Sequence, residues 1–262
     1  MHLGCSHSMS HEVHKISVLG IISQAAEMLG SNKVYYFKVL LFPALLMYGL
    51  FLLYYLTFSF FPEMPKWTSW VFTLLIWNSY TIFAVVCHRL VLLHADRPLK
   101  PYALTVTRRE MVFSLNLIVI AVVALMLAWV LSIPLLSLLN SFSFSNWAVF
   151  IPIVMGMLQT YFLGRFCLVL PSIAIDEKIT LKQSWMVTRG SGLRIFCIIG
   201  VVPLFWFALS SISGDSAEDV GLYIIDTLFV LLQPVVFAFE VFLVSLTYRE
   251  MKENWLDSHA LN

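Results

Sequence analysis

Three charged side chains interrupt long apolar runs of the sequence: Arg89, Arg165 and Glu240. A charge inside a bilayer is costly and usually faces a partner or a water-filled cavity. Counted from the outer ends of their apolar segments, Arg165 and Glu240 both lie roughly 27–30 Å deep at 1.5 Å per residue. We therefore predict that Glu240 pairs with Arg165 or Arg89 and holds neighbouring segments together. The alternative is a proton or substrate pathway, to which His88 and Asp226 would contribute.

The composition identifies the class of protein that carries these charges. The 262 residues are 12% charged and 60% hydrophobic, and the mean hydropathy is +0.87. A soluble domain has about a quarter charged residues. We therefore predict an all-α polytopic membrane protein, because backbone polar groups in hydrocarbon must be satisfied within helices. The net charge of +1 gives no reason to expect nucleic acid as a partner.

Segments of about 20 apolar residues are long enough to cross a bilayer. We predict one membrane domain over residues 16–262, preceded by a disordered polar tail over residues 1–15, where Met9 is an alternative start. The six predicted spans are Val39–Phe61, Trp67–Leu90, Met111–Leu139, Trp147–Leu170, Leu193–Ile212 and Val220–Thr247. Amphipathic helices are predicted at about 16–31, 97–108 and 178–189. Pro43, Pro134, Pro203 and Pro234 fall within spans and predict kinks, since neighbouring helices satisfy the groups that proline frees.

Basic residues set the predicted orientation. The chain has 16 Lys and Arg residues. If it crosses the membrane six times, Lys66 lies alone on one side of the membrane and the other 15 lie on the opposite side. The positive-inside rule makes the second side cytoplasmic and places both termini there. The cysteines, Cys5, Cys87, Cys167 and Cys197, also fall towards that side, and we expect them to be reduced thiols.

Two inner connections contain similar features in the same order. Residues 90–108 and 168–189 each read Leu-Val-Leu, an aspartate, Leu-Lys and Val-Thr-Arg. This similarity favours a three-unit repeat in which each unit has an amphipathic helix and two spans. Chance similarity between short basic and apolar segments is the alternative.

The second connection predicts contact with a lipid surface. Lys178, Lys182 and Arg189 share one stripe of a helix, and Trp185 lies on another. Such a helix holds its basic edge at anionic head groups while its aromatic side chain enters the acyl region. A linker that only follows the positive-inside rule is the alternative. The bilayer is thus the expected partner, with a membrane protein or a second copy of the chain as a further candidate.

Motifs for known catalytic or metal sites are missing from the sequence, which contains no HExxH, GxSxG, Walker A or GxGxxG pattern. Asp176 and Glu177 form an acidic pair, but adjacent helical residues point apart and no second pair lies nearby. We therefore expect no catalytic residue, no metal site and no cofactor.

The block from Gly164 to Gly190 supports a family resemblance. Gly164-Arg165-Phe166, Leu168 to Pro171, Ile173-Ala174, Asp176-Glu177, Ser184 and Gly190 occur in it in this order. The block resembles uncharacterised six-span inner-membrane proteins of the YciC type and the membrane domain that accompanies glycerophosphoryl diester phosphodiesterases. In the latter the chemistry belongs to a separate soluble barrel, so the resemblance implies a bacterial envelope membrane module without that activity.

These observations favour a non-enzymatic inner-membrane scaffold for envelope or lipid homeostasis. A small transporter or channel that uses the intramembrane charges is one alternative. A membrane-embedded enzyme that acts on lipid is another, and Arg89, His88 and Glu240 would form its site.

Overall fold

The computed structural model describes residues 17–31, 33–61, 63–93, 107–140, 147–200 and 220–260. All regular elements in these ranges are helices. They are α1 (Val18–Ser31), α2 (Lys33–Phe60), α3 (Lys66–Leu93), α4 (Arg108–Asn140), α5 (Trp147–Phe166), α6 (Val169–Ala174), α7 (Leu181–Val187), α8 (residues 192–200) and α9 (Val220–Ala260). The predicted helical class is therefore confirmed.

Four helices in the described part of the chain are long and apolar enough to cross a membrane: Lys33–Phe60, Lys66–Leu93, Arg108–Pro134 and Leu232–Trp255. Their outward surfaces are apolar, as Leu115, Met126 and Trp129 on α4 show with exposed fractions of 62%, 64% and 60%. An apolar surface of this kind suits lipid rather than water. These features are consistent with a membrane protein.

The other two predicted spans have different outcomes. The span predicted at 147–170 is too long for one helix, because α5 ends at Phe166 and the chain turns before α6 begins. Of the span predicted at 193–212, residues 192–200 are helical and 201–212 lie outside the described residues. Six spans therefore stay a prediction, as does the repeat. The polar tail, the segment 97–106 and Pro203 also lie outside the described residues.

The prolines within described helices do not end them. Pro43, Pro134 and Pro234 lie inside α2, α4 and α9, as predicted. The thiols of Cys87, Cys167 and Cys197 are free, and Cys5 lies outside the described residues; their reduced state stays a prediction.

The core forms where α9 packs against α1, α3 and α6. Phe83 of α3, Phe242 and Leu246 of α9 and Ile21 of α1 are almost completely buried in it. The predicted helix near the N-terminus is thus confirmed as α1, which lies against the bundle. Its apolar face provides this packing, since amphipathic helices bury their apolar stripe.

Helix α9 continues well past the predicted end of its span at Thr247, to Ala260. Residues 248–255 are more polar than the span but retain good helix formers, so helix and apolar segment do not end together. As a result, Tyr248 and Lys252 stand one turn apart on the same face of α9. This part of α9 carries Lys252 and lies with the basic residues at the ends of α3, α4 and α5, which are Arg89, Arg108, Arg109 and Arg165. We call this region the basic end of the bundle.

Candidate functional site

A sharp turn after α6 presents two carboxylates to different helices. Asp176 adopts a φ of 66°, a left-handed conformation that aspartate tolerates better than most residues. The turn is held by backbone hydrogen bonds from Asp176 N to Ile173 O at 3.1 Å and from Glu177 N to Ser172 O at 2.8 Å. The acidic pair therefore lies in a turn, and not on a helix as the sequence argument assumed.

Asp176 faces two arginines from neighbouring helices. Arg109 Nε of α4 donates to Asp176 Oδ1 at 3.1 Å, and Arg89 Nη1 of α3 lies 3.5 Å from Oδ2. Arg89 also donates to the carbonyl oxygen of Ala174 at 3.0 Å. The Asp176 side chain is 65% exposed, so each ion pair contributes at most about 1 kcal/mol. Their main effect is to fix where α3 and α4 meet the turn.

Glu177 faces α9. Tyr248 Oη and Lys252 Nζ each donate to its carboxylate at 2.5 Å. Burial alone would raise the pKa of Glu177, but the bonds from Lys252 and Tyr248 outweigh burial and hold this pKa below its ordinary value. The carboxylate is therefore ionised at neutral pH. We refer to Arg89, Arg109, Asp176, Glu177, Tyr248 and Lys252 together as the charged cluster.

Arg165, at the end of α5, holds α7 in place. Its guanidinium is buried and donates through Nη1 to Thr188 O and through Nη2 to Trp185 O, the latter at 2.9 Å. It also lies 4.1 Å above the Trp185 ring. In return, Ser184 Oγ donates to Arg165 O at 2.8 Å. A cation beside the last carbonyls of a helix is favourable, so Arg165 and α7 stabilise one another.

The predicted pairing of Glu240 with Arg165 or Arg89 is wrong. Glu240 is half-buried on α9, and the ion pairs among the described residues do not include it. Depth along a helix does not fix the direction in which a side chain points. Arg165 instead finds carbonyl oxygens of α7, and Arg89 finds the turn after α6.

His88 makes a hydrogen-bonded contact between α3 and α9. It is buried, and its Nδ1 lies 2.7 Å from Ser245 Oγ. Because the Ser245 hydroxyl already donates to Val241 O at 2.7 Å, His88 Nδ1–H is the donor to Ser245. The polar contacts found among the described residues do not join His88 to Arg89 or Glu240, and a site formed by the three stays a prediction. Asp226 belongs to α9, but its side chain lies outside the described set.

The predicted lipid-contact residues are distributed differently from the sequence model. Helix α7 has only seven residues, so Lys178 and Arg189 lie outside it and the predicted stripe over 178–189 is wrong. A capping box formed by Thr180 and Gln183 starts the helix. Trp185 packs on Phe162 and Phe166 of α5 and is still 37% exposed, so its contact with acyl chains stays a prediction. Lys178, Lys182 and Arg189 are exposed.

Two clefts flank the acidic turn. The wider one measures about 490 Å³ and lies between the start of α4 and the turn, where Arg108, Asp176 and Lys178 line it. The narrower one measures about 200 Å³ and lies between α7 and α9. Glu177 and Lys178 line both. Within the described ranges no group of three His, Cys, Asp or Glu side chains could hold a metal ion.

Sequence reasoning missed the charged cluster because it judged the acidic pair as a catalytic motif. A usable signal was present, since Asp176 and Glu177 stand among many basic residues on the predicted cytoplasmic side, where ion pairs are expected.

No protein-family model, curated protein or solved structure matches the chain. The resemblance of the block around Arg165 to six-span membrane families therefore stays a prediction.

Proposed function

We propose that the chain is a non-enzymatic scaffold of the bacterial inner membrane, with six spans and both termini in the cytoplasm, which supports envelope or lipid homeostasis. The observation that carries this proposal is the charged cluster. One turn binds α3 and α4 through Asp176 and α9 through Glu177, so three membrane-length helices are tied at one end. A static bundle benefits from such contacts, whereas a transporter must break and remake contacts between moving halves.

The charges that would have served transport are used in structural contacts. Arg165 is bonded to backbone carbonyls of α7, and Arg89 to the turn after α6. The helix-to-helix contact that the sequence predicted at Glu240 is not formed among the described residues. The charged cluster provides a contact of this kind at the turn after α6 instead.

A distance measurement tests whether the bundle is static. Spin labels at Met111→Cys on α4 and Glu253→Cys on α9, both exposed positions, span the charged cluster. Cys5 and Cys197 are replaced by serine so that only these sites react. We expect one narrow distance distribution in proteoliposomes, unchanged by a proton or sodium gradient. A second population that grows with the gradient would overturn the scaffold and favour a transporter.

Labelling from each side of the membrane tests the orientation. Lys66→Cys is expected to react with a membrane-impermeant maleimide in intact spheroplasts, and Arg189→Cys only after permeabilisation; both native positions are exposed. Equal labelling of both variants before permeabilisation would contradict the proposed topology.

Deletion of the gene tests the proposed role. It is expected to sensitise cells to detergent, and the full-length protein should restore resistance. Unchanged detergent sensitivity would argue against the proposed role.

A further inference from the structure

The narrow cleft between α7 and α9 combines an apolar lining with charged side chains. Leu168, Ile179, Val187 and Met251 provide an apolar lining, and Lys178 and Lys252 lie at its polar edge. Its volume of about 200 Å³ is smaller than the about 300–1,000 Å³ of pockets that enclose drug-sized ligands. The cleft therefore suits a segment of a chain better than a whole soluble metabolite.

The position of the cleft favours a ligand from the bilayer. Met251 and Trp255 lie about one and two helical turns beyond the predicted end of the span at Thr247, within the helix Leu232–Trp255. Trp255 is 37% exposed, as expected for a tryptophan at the boundary between acyl chains and head groups. The cleft therefore lies beside the head-group level of the predicted span, where the chain of a membrane phospholipid can reach it.

The charges around the cleft favour an anionic head group. Lys252 is neutralised by Glu177, but Lys178 forms none of the ion pairs found among the described residues. Lys178 also lines the wider cleft, together with Thr107 and Arg108. An anion beside Lys178 would thus meet a second cation, Arg108, while its chain occupies the apolar cleft; the Thr107 hydroxyl already donates to Glu110.

We propose that the basic end binds one anionic phospholipid, with an acyl chain in the cleft between α7 and α9 and its phosphate at Lys178 and Arg108. This inference rests on the proposed membrane setting, and it adds a defined site to the general contact with lipid that the sequence predicts. Bound there, the lipid would contact α4, the acidic turn, α7 and α9 together.

Native mass spectrometry of the full-length protein with added phosphatidylglycerol or phosphatidylcholine tests the site. The wild type is expected to retain one phosphatidylglycerol in preference to phosphatidylcholine. Val187→Trp, which fills the cleft, should weaken retention at least tenfold, whereas the same change at lipid-facing Val130 should not. Lys178→Gln with Arg108→Gln should reduce the preference by about fivefold for each cation removed, and Arg189→Gln, outside both clefts, should not.

Two results would overturn the inference: equal retention of both lipids by the wild type, or retention by Val187→Trp at the wild-type level. A monodisperse elution profile and unchanged helical circular dichroism establish that each variant is folded. The exposed substitution Lys178→Gln provides a test that does not perturb the core. The two proposals can fail separately. If the lipid is not retained but the spin labels show a single distance, the lipid site is refuted and the scaffold proposal stands. If the spin labels show two distances but the lipid is retained, the scaffold proposal is refuted and the lipid site stands.

Discussion

Replacing Arg165 by methionine should weaken the attachment of α7 to α5. Methionine keeps an unbranched apolar stem but cannot donate to the carbonyl oxygens of Trp185 and Thr188. It also removes the cation above the Trp185 ring, 4.1 Å away. The end of α7 would then have two carbonyl groups without their present donor.

The size of the effect follows from these contacts. A hydrogen bond that involves a charged group contributes about 1.5–3 kcal/mol, and a cation–π contact contributes about 0.5–2 kcal/mol. The variant regains part of this, because burying the guanidinium is costly and its Nε has no acceptor among the described atoms. We therefore expect Arg165→Met to lower the free energy of unfolding by about 2–4 kcal/mol.

Reversible unfolding in mixed detergent micelles measures the total loss, and hydrogen exchange at the amides of α7 locates it. Arg189→Met is the matched control, because Arg189 is exposed and lies just beyond Thr188. Faster exchange in Leu181–Val187 is expected for Arg165→Met alone. If both variants agree within about 0.5 kcal/mol and α7 stays equally protected, Arg165 does not anchor this helix.

Three further predictions concern the turn and the packing of α8. Asp176→Asn should lower the free energy of unfolding by about 1 kcal/mol, because it removes two ion pairs. Asp176→Ala should lower it by about 1 kcal/mol more, because alanine is disfavoured at a φ of 66°. Equal denaturation midpoints for the two variants would contradict this. Because the pKa of Glu177 is lower in the folded protein, its carboxylate stabilises the fold at neutral pH, and this stabilisation is lost as the pH falls through the lowered pKa. Glu177→Gln should therefore flatten the acid limb of a plot of stability against pH. An unchanged slope would argue against the contacts assigned to Glu177. Gly200→Ala should lower the free energy of unfolding by about 1–3 kcal/mol, because the added Cβ would lie 2.6 Å from Thr160 Cγ2. In the control Gly49→Ala the added Cβ meets nothing within 4 Å, so thermal stability should be unchanged or increased. Equal melting temperatures for the two variants would refute the close approach.

Much of the architecture was predictable because it depends on local properties. Apolar segments long enough for a bilayer appear as α2, α3, α4 and α9, and the amphipathic pattern near residue 20 appears as α1. Helix boundaries were less predictable. Helix α9 extends beyond its apolar segment, and the span predicted at 147–170 ends as a helix at Phe166, because helix propensity and hydropathy are separate properties.

The candidate site was only partly predictable. Arg89 and Arg165 were identified as residues that need partners, but their partners were not. Three of the four partners are backbone carbonyl groups, which carry no sequence signal, and the fourth is Asp176. The acidic pair was dismissed on the assumption that it lies on a helix. The left-handed conformation of Asp176 invalidates that assumption.

The sequence by itself determined a helical, lipid-compatible chain with nearly all its basic residues predicted on one side, because hydropathy and charge are properties of each segment alone. Only the tertiary structure decided which charges meet. Asp176 and Glu177 are neighbours in the chain, yet one faces α3 and α4 and the other faces α9. The direction of a side chain around a helix or turn depends on packing, which segment composition does not encode.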